Sequence, residues 1–132
     1  MIYLKNNFFE KAKDFFNTAI KINYQYIDSY NNLGACLLEL EKLDEAKKIF
    51  NKAYDIDKKN VSTLINLANV LSLQDNIVGA VEHYNEALSL DPNNQEIISN
   101  LAICYCRDSK EKEAKKYYDR AIKINPYDYK LM

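Results

Sequence analysis
A period of 34 residues governs this chain. Ala12, Ala46, Ala80 and Ala114 recur at that spacing, and so do Ala19, Ala53, Ala87 and Ala121. Eight of the eleven alanines therefore fall at two positions of one repeating unit. Self-similarity at a fixed period of roughly 20 to 50 residues marks a repeat array, whose units bury apolar surface only against their neighbours. The 132 residues divide on this reading into a single array with whole units at 27–60, 61–94 and 95–128. Residues 1–26 hold mostly the second half of an earlier unit, and residues 129–132 begin a further helix.

Each unit reads as a helical hairpin. In 27–60 the first helix is expected from about Asp28 to Leu40, with Tyr30, Leu33, Gly34, Leu37 and Leu38 on its packed side. A turn at Glu41-Lys42-Leu43 follows, with Asp44 as N-cap of the second helix. Ala46, Ile49, Phe50, Ala53, Tyr54 and Ile56 then recur at the spacing of one buried helical face. Gly34 costs about 1 kcal/mol of helix propensity against alanine, so its place implies close approach of the second helix. Ala68 and Ala102, also small, hold the equivalent position. Unit 61–94 repeats the plan with Asn60 as cap, Leu64, Leu67, Ala68 and Leu71, then Ala80, Tyr84, Ala87 and Leu88. Unit 95–128 does so with Ile98, Leu101, Ala102 and Tyr105, then Ala114, Tyr118, Ala121 and Ile124. Pro92 and Pro126 stop the second helices, since proline cannot continue one. At the front, Tyr3 and Leu4 read as the end of a helix and Asn6-Asn7 as a turn. A second helix follows there with Ala12, Phe15, Phe16, Ala19 and Ile20 on its buried side.

Composition agrees. Two glycines and two prolines are too few for a loop-rich or all-β domain. The net charge of −1 gives no drive towards nucleic acid or an anionic membrane. No apolar run approaches the roughly 20 residues of a membrane span, and no secretory signal is visible, so a cytoplasmic protein is expected. Cys36, Cys104 and Cys106 are odd in number and lack framework spacing, which reads as reduced thiols. His83 is the sole histidine, which leaves no two-histidine metal site. No Ser-His-Asp set and no phosphate-binding glycine loop is present, so no catalytic residue, metal or cofactor is expected. Lys110, Lys112, Lys115, Lys116, Arg120 and Lys123 are interleaved with Glu111, Glu113 and Asp119, the pattern of a solvated helix rather than a nucleic-acid stripe.

These positions resemble the tetratricopeptide repeat family. Its 34-residue motif carries a bulky residue early in helix A, then Leu-Gly or Leu-Ala, then Tyr or Leu, with Ala, an aromatic, Ala and a closing Pro in helix B. Tyr30, Leu33-Gly34, Leu37, Ala46, Phe50 and Ala53 match it. So do Leu67-Ala68, Leu71, Ala80, Tyr84, Ala87 and Pro92, and again Leu101-Ala102, Tyr105, Ala114, Tyr118, Ala121 and Pro126. Ala12, Phe16 and Ala19 match the helix B half. Lys58 and Tyr24 depart from Pro, and Leu64 and Ile98 depart from the usual aromatic.

The resemblance implies an all-α fold, a right-handed α-solenoid of antiparallel helix pairs with the A helices lining its concave face. It implies a non-enzymatic scaffold that binds an extended peptide or protein partner in that groove. The family's groove positions fall at Asp28, Asn31, Asn32, Ala35 and Glu39, then Ser62, Ile65, Asn66, Asn69 and Leu73, then Glu96, Ser99, Asn100, Ile103 and Arg107. Asn32, Asn66 and Asn100 form a row of amides, each offering donor and acceptor to a peptide backbone. A similar asparagine ladder grips substrate peptides in the repeat domain of O-linked N-acetylglucosamine transferases, so the targeting region of a larger enzyme is an alternative. The family's two-carboxylate clamp for chaperone tails is not expected. Asn31, Ala35, Glu96 and Asn100 stand where it needs cations, and only Asn66 agrees. Apolar ends, with Phe8, Phe15, Phe16 and Ile20 at one and Ile103, Tyr117, Tyr118 and Ile122 at the other, point to self-association as a third reading.

Overall fold
The computed structural model describes residues 2–125. Among them it shows α-helices and no strand: α1 (Ile2–Ile22), α2 (Ile27–Glu39), α3 (Leu43–Ile56), α4 (Val61–Leu73), α5 (Ile77–Leu90), α6 (Gln95–Arg107) and α7 (Glu111–Ile124). The expected helix start at 129–132, and Pro126 before it, lie outside the described residues. Consecutive helices pack as hairpins, α2 on α3, α4 on α5 and α6 on α7, and each hairpin rests on the next. The result is an all-α helical-repeat solenoid. The registered alanines explain the close packing. Ala46, Ala53, Ala80, Ala87 and Ala121 are fully buried, because a methyl lets helix axes approach where a longer side chain would hold them apart.

The turns inside the hairpins share one geometry. Lys42 N–H bonds to Leu37 O at 2.8 Å and Glu41 N–H to Leu38 O at 2.9 Å. The same pair recurs from Asn76 to Leu71 and Asp75 to Ser72, and from Lys110 to Tyr105 and Ser109 to Cys106. This is a Schellman ending, which needs a left-handed residue after the helix. Glu41, Asp75 and Ser109 take that conformation at φ 61°, 61° and 58°. Glycine usually serves there, and its absence hid the motif in the sequence.

The start of α3 differs from expectation. Asp44 lies inside the first turn of α3, and Lys42 is the N-cap residue, with no side-chain capping bond. Asn60, Asn76 and Asn94 do cap, each accepting through Oδ1 from the backbone N–H three residues on. The front also differs. The turn expected at Asn6-Asn7 is absent, and α1 runs through it as one helix of 21 residues. Continuing the i to i−4 bonds costs two asparagines only a few tenths of a kcal/mol each, so the helix continues.

Candidate functional site
A concavity of about 530 Å³ opens where α1, α2, α4, α5 and α6 converge. Its walls are Lys5 of α1, Leu38 and Glu39 of α2, Glu41 of the following turn, Asn69, Ser72 and Leu73 of α4, Tyr84 of α5 and Asn100 of α6. Helix A of each unit thus contributes one turn to a shared surface. The mixture is suited to a peptide: amides and a hydroxyl for a backbone, Leu38 and Leu73 for apolar side chains, and carboxylates at one end.

Tyr84 organises the floor. Its hydroxyl donates to Asn69 Oδ1 and also bonds the Asn100 side chain. Burial pushes the phenol well above its ordinary value, and the nearby Cys104 and Glu96 push the same way. The hydroxyl therefore stays neutral, donates its one proton to Asn69 Oδ1 and accepts from the Asn100 amide, whose bond is the one influence that lowers the phenol. Phe50 holds the equivalent position one unit earlier and has no such tip. The sequence marks Tyr84 only as a packing residue; the signal for more is tyrosine where its counterpart is phenylalanine. Lys5 and Ser72, also on the wall, give no signal.

The structure distributes the remaining expected residues. Asn32 is exposed and joins Asp28 in a second hollow of about 420 Å³, with Phe15, Phe16, Ile22 and Tyr26. Asn66 and Asn100 are half-buried. Asn31 is buried, and its Oδ1 accepts from Thr63 Oγ1 at 3.2 Å, so this amide ties α2 to α4. Ile65 is buried in the core between α4 and α6. Ser62 and Glu96 are exposed, and Ser99 is half-buried with its Oγ turned inward. Glu39 pairs with Lys5 Nζ at 3.1 Å. Arg107 reaches back to the previous unit, with Nη1 2.8 Å from Ser72 Oγ and Nη2 2.6 Å from Asp75 Oδ1.

Other chemistry is sparse. Among the described residues no group of three or more His, Cys, Asp and Glu is placed to hold a metal ion. Burial raises the Cys36 and Cys104 thiols, which keeps them protonated and poor nucleophiles. No described helix is long and apolar enough to cross a membrane.

Three family models described as tetratricopeptide repeat match the chain. One matches residues 61–94, a second 1–26 and 27–60, and a third 83–116. The chain belongs to the tetratricopeptide repeat family, and with this fold it is a repeat scaffold for protein interaction. No curated protein matches it. Among solved structures it is similar to MamA, at 16% identity and TM-score 0.85 over 93% of this chain and 72% of that one. It is similar to YrrB, described as a TPR protein with an unusual peptide-binding site, at 22% identity and TM-score 0.82, over 98% of this chain and 66% of that one. It is also similar to TTC0263, a thermophilic TPR protein in Thermus thermophilus, at 22% identity and TM-score 0.85, over 97% and 71% of the two chains.

Proposed function
We propose that the chain is a non-enzymatic scaffold that binds an extended peptide of a partner protein along its A helices. The observation that carries this is the oriented pair Asn69 and Asn100, held by Tyr84 in an open concavity. Fixed amides satisfy both the N–H and the C=O of an extended backbone and select for no particular side chain. YrrB, alike in fold, has a peptide-binding site, which supports the same use of this surface. Asn32 and Asn66 extend the row along α2 and α4.

The test compares the parent chain with Asn32→Ala, Asn66→Ala and Asn100→Ala combined. Partners are captured from a lysate, the bound segment is mapped as a synthetic peptide, and its affinity is measured for both proteins. Loss of these three amides should weaken it by about tenfold or more. Equal affinity for both proteins removes the groove from the account.

One observation favours a second reading, pairing with another copy of the chain. Phe8, Phe15 and Ile22 are 65%, 68% and 82% exposed on α1. With Ala12 and Ala19 they recur in alternating steps of four and three, the spacing of a coiled-coil seam. Set antiparallel about Phe15, two such helices place Phe8 against Ile22 and Ala12 against Ala19. Light scattering should then show a concentration-dependent dimer that Phe15→Glu abolishes. A strict monomer up to millimolar concentration overturns the pairing.

A further inference from the structure
The end of α4 shows how this fold seats a cation. Arg107, from the next A helix, donates to Ser72 O at 3.3 Å and Ser72 Oγ at 2.8 Å, and its other nitrogen lies 2.6 Å from Asp75 Oδ1. The niche combines a helix C-terminus, which carries partial negative charge, with a carboxylate in the left-handed turn position. One unit earlier the end of α2 repeats the helix end and the turn carboxylate, with Leu38 in place of Ser72 and so without the hydroxyl. Glu41 stands where Asp75 stands, again at φ 61°, and Glu39 adds a second carboxylate. The residue in Arg107's place is Leu73, which is 61% exposed and brings no charge.

The surrounding charges sharpen the contrast. The A helices α2, α4 and α6 carry Asp28, Glu39 and Glu96 but only one cation, Arg107, already spent on Asp75. What reaches the α2 niche is Lys5, from α1. Its Nζ lies 3.1 Å from Glu39 Oε2, and both side chains are about half exposed. Lys5, Glu39, Glu41 and Leu73 all line the concavity that also holds Asn69, Tyr84 and Asn100.

We propose that this niche receives an arginine or lysine side chain of the peptide bound in the groove, with Lys5 as a displaceable stand-in. The proposal rests on the groove reading above and adds to it a class of ligand, a basic peptide. Arginine suits the niche better than lysine, because a planar guanidinium can meet a carboxylate and a helix-end carbonyl at once, as Arg107 does. Lys5 is readily displaced: an exposed pair of this kind resists a competitor by at most about fivefold.

Random peptides displayed on phage are selected against the whole chain. The selected consensus is synthesised with a fluorescein label and titrated by anisotropy. Arginine, and more weakly lysine, should be enriched at one position. Leu73→Arg copies Arg107 into the niche and should weaken binding about tenfold, as should Glu41→Lys or a norleucine in place of the peptide's arginine. Lys5→Ala should strengthen binding by up to about fivefold. Circular dichroism checks that each variant keeps its helices, and the two niche variants act independently should one fail to fold. A consensus without a basic residue, or binding indifferent to both niche variants, overturns the proposal. If such a peptide still loses affinity with Asn100→Ala, the groove reading stands alone. Binding untouched by Asn100→Ala, or no enrichment at all, overturns both.

Discussion

Gly34 and Phe50 set the closest approach of α2 and α3. A Cβ added at Gly34 would fall 2.6 Å from Phe50 Cζ and 2.7 Å from Cδ1, and nearer still to Cε1. Phe50 is fully buried and cannot swing away. Gly34→Ala gains about 1 kcal/mol of helix propensity. It incurs overpacking that typically costs about 1–3 kcal/mol, and the rigid ring puts it towards the upper end. Urea denaturation should therefore show a net loss of about 1–2 kcal/mol. Phe50→Leu should cost less in the Gly34→Ala background than in the parent chain, because it relieves the overlap with the added methyl. A stabilised single variant would refute the steric account. The buried tyrosines and thiols give a second residue-scale prediction. Burial raises the Tyr84 and Tyr117 phenols above their ordinary 10.0 and the Cys36 and Cys104 thiols above 9.0. In the alkaline range the unfolded chain has lost these protons and the folded chain keeps them. Stability is then whole below the unfolded values and falls as pH rises. The urea midpoint should hold to about pH 8 and drop steadily by about pH 10.5, with a shallower drop in Tyr84→Phe. A flat profile contradicts it.

At the scale of elements, the repeat itself supplies the experiment. Asn76 caps α5 by accepting from Gly79 N–H at 3.0 Å, whereas its counterparts Lys42 and Lys110 leave α3 and α7 without a side-chain cap. Lys110→Asn copies the working cap and should add about 1 kcal/mol, seen as a higher melting temperature. Lys110 loses only an exposed pair with Asp108 at 3.4 Å. No change would mean the turn geometry, not the residue, decides capping. The helices and their buried stripes were legible because alanine and leucine repeat at helical spacing. So were the capping role of Asn60 and the packing role of Gly34. What stayed hidden depends on what lies across space. Asn6-Asn7 reads as a turn locally, but α1 runs through both residues as one helix. Asn31 and Asn32 are adjacent and chemically identical, and one is buried against Thr63 while the other faces solvent. Tyr84 declared its packing by position and its polar task only through partners 15 and 16 residues away.

For the whole molecule, α4 is the hub. Its Leu67 and Val70 pack with Leu33, Leu37 and Phe50 on one side, while Leu64, Ile65, Ala68 and Leu71 pack with α5 and α6 on the other. Unlike α3 or α7 it bears no charged residue. In a solenoid, stability is close to a sum of unit and interface terms, and an element with interfaces on both sides opens last. Amide exchange should therefore be slowest in α4 and quicken towards α1 and α7. Leu67→Ala removes a side chain of this hub buried against Leu33, Leu37 and Phe50 and should cost about 2–5 kcal/mol. It should speed exchange in α2, α3, α5 and α6 together. Phe16→Ala, on the half-buried face of α1, should speed exchange in α1 and α2 and leave α5 to α7 unchanged. If Phe16→Ala lowers protection equally in every helix, the chain opens as one cooperative block and the additive account of its stability fails.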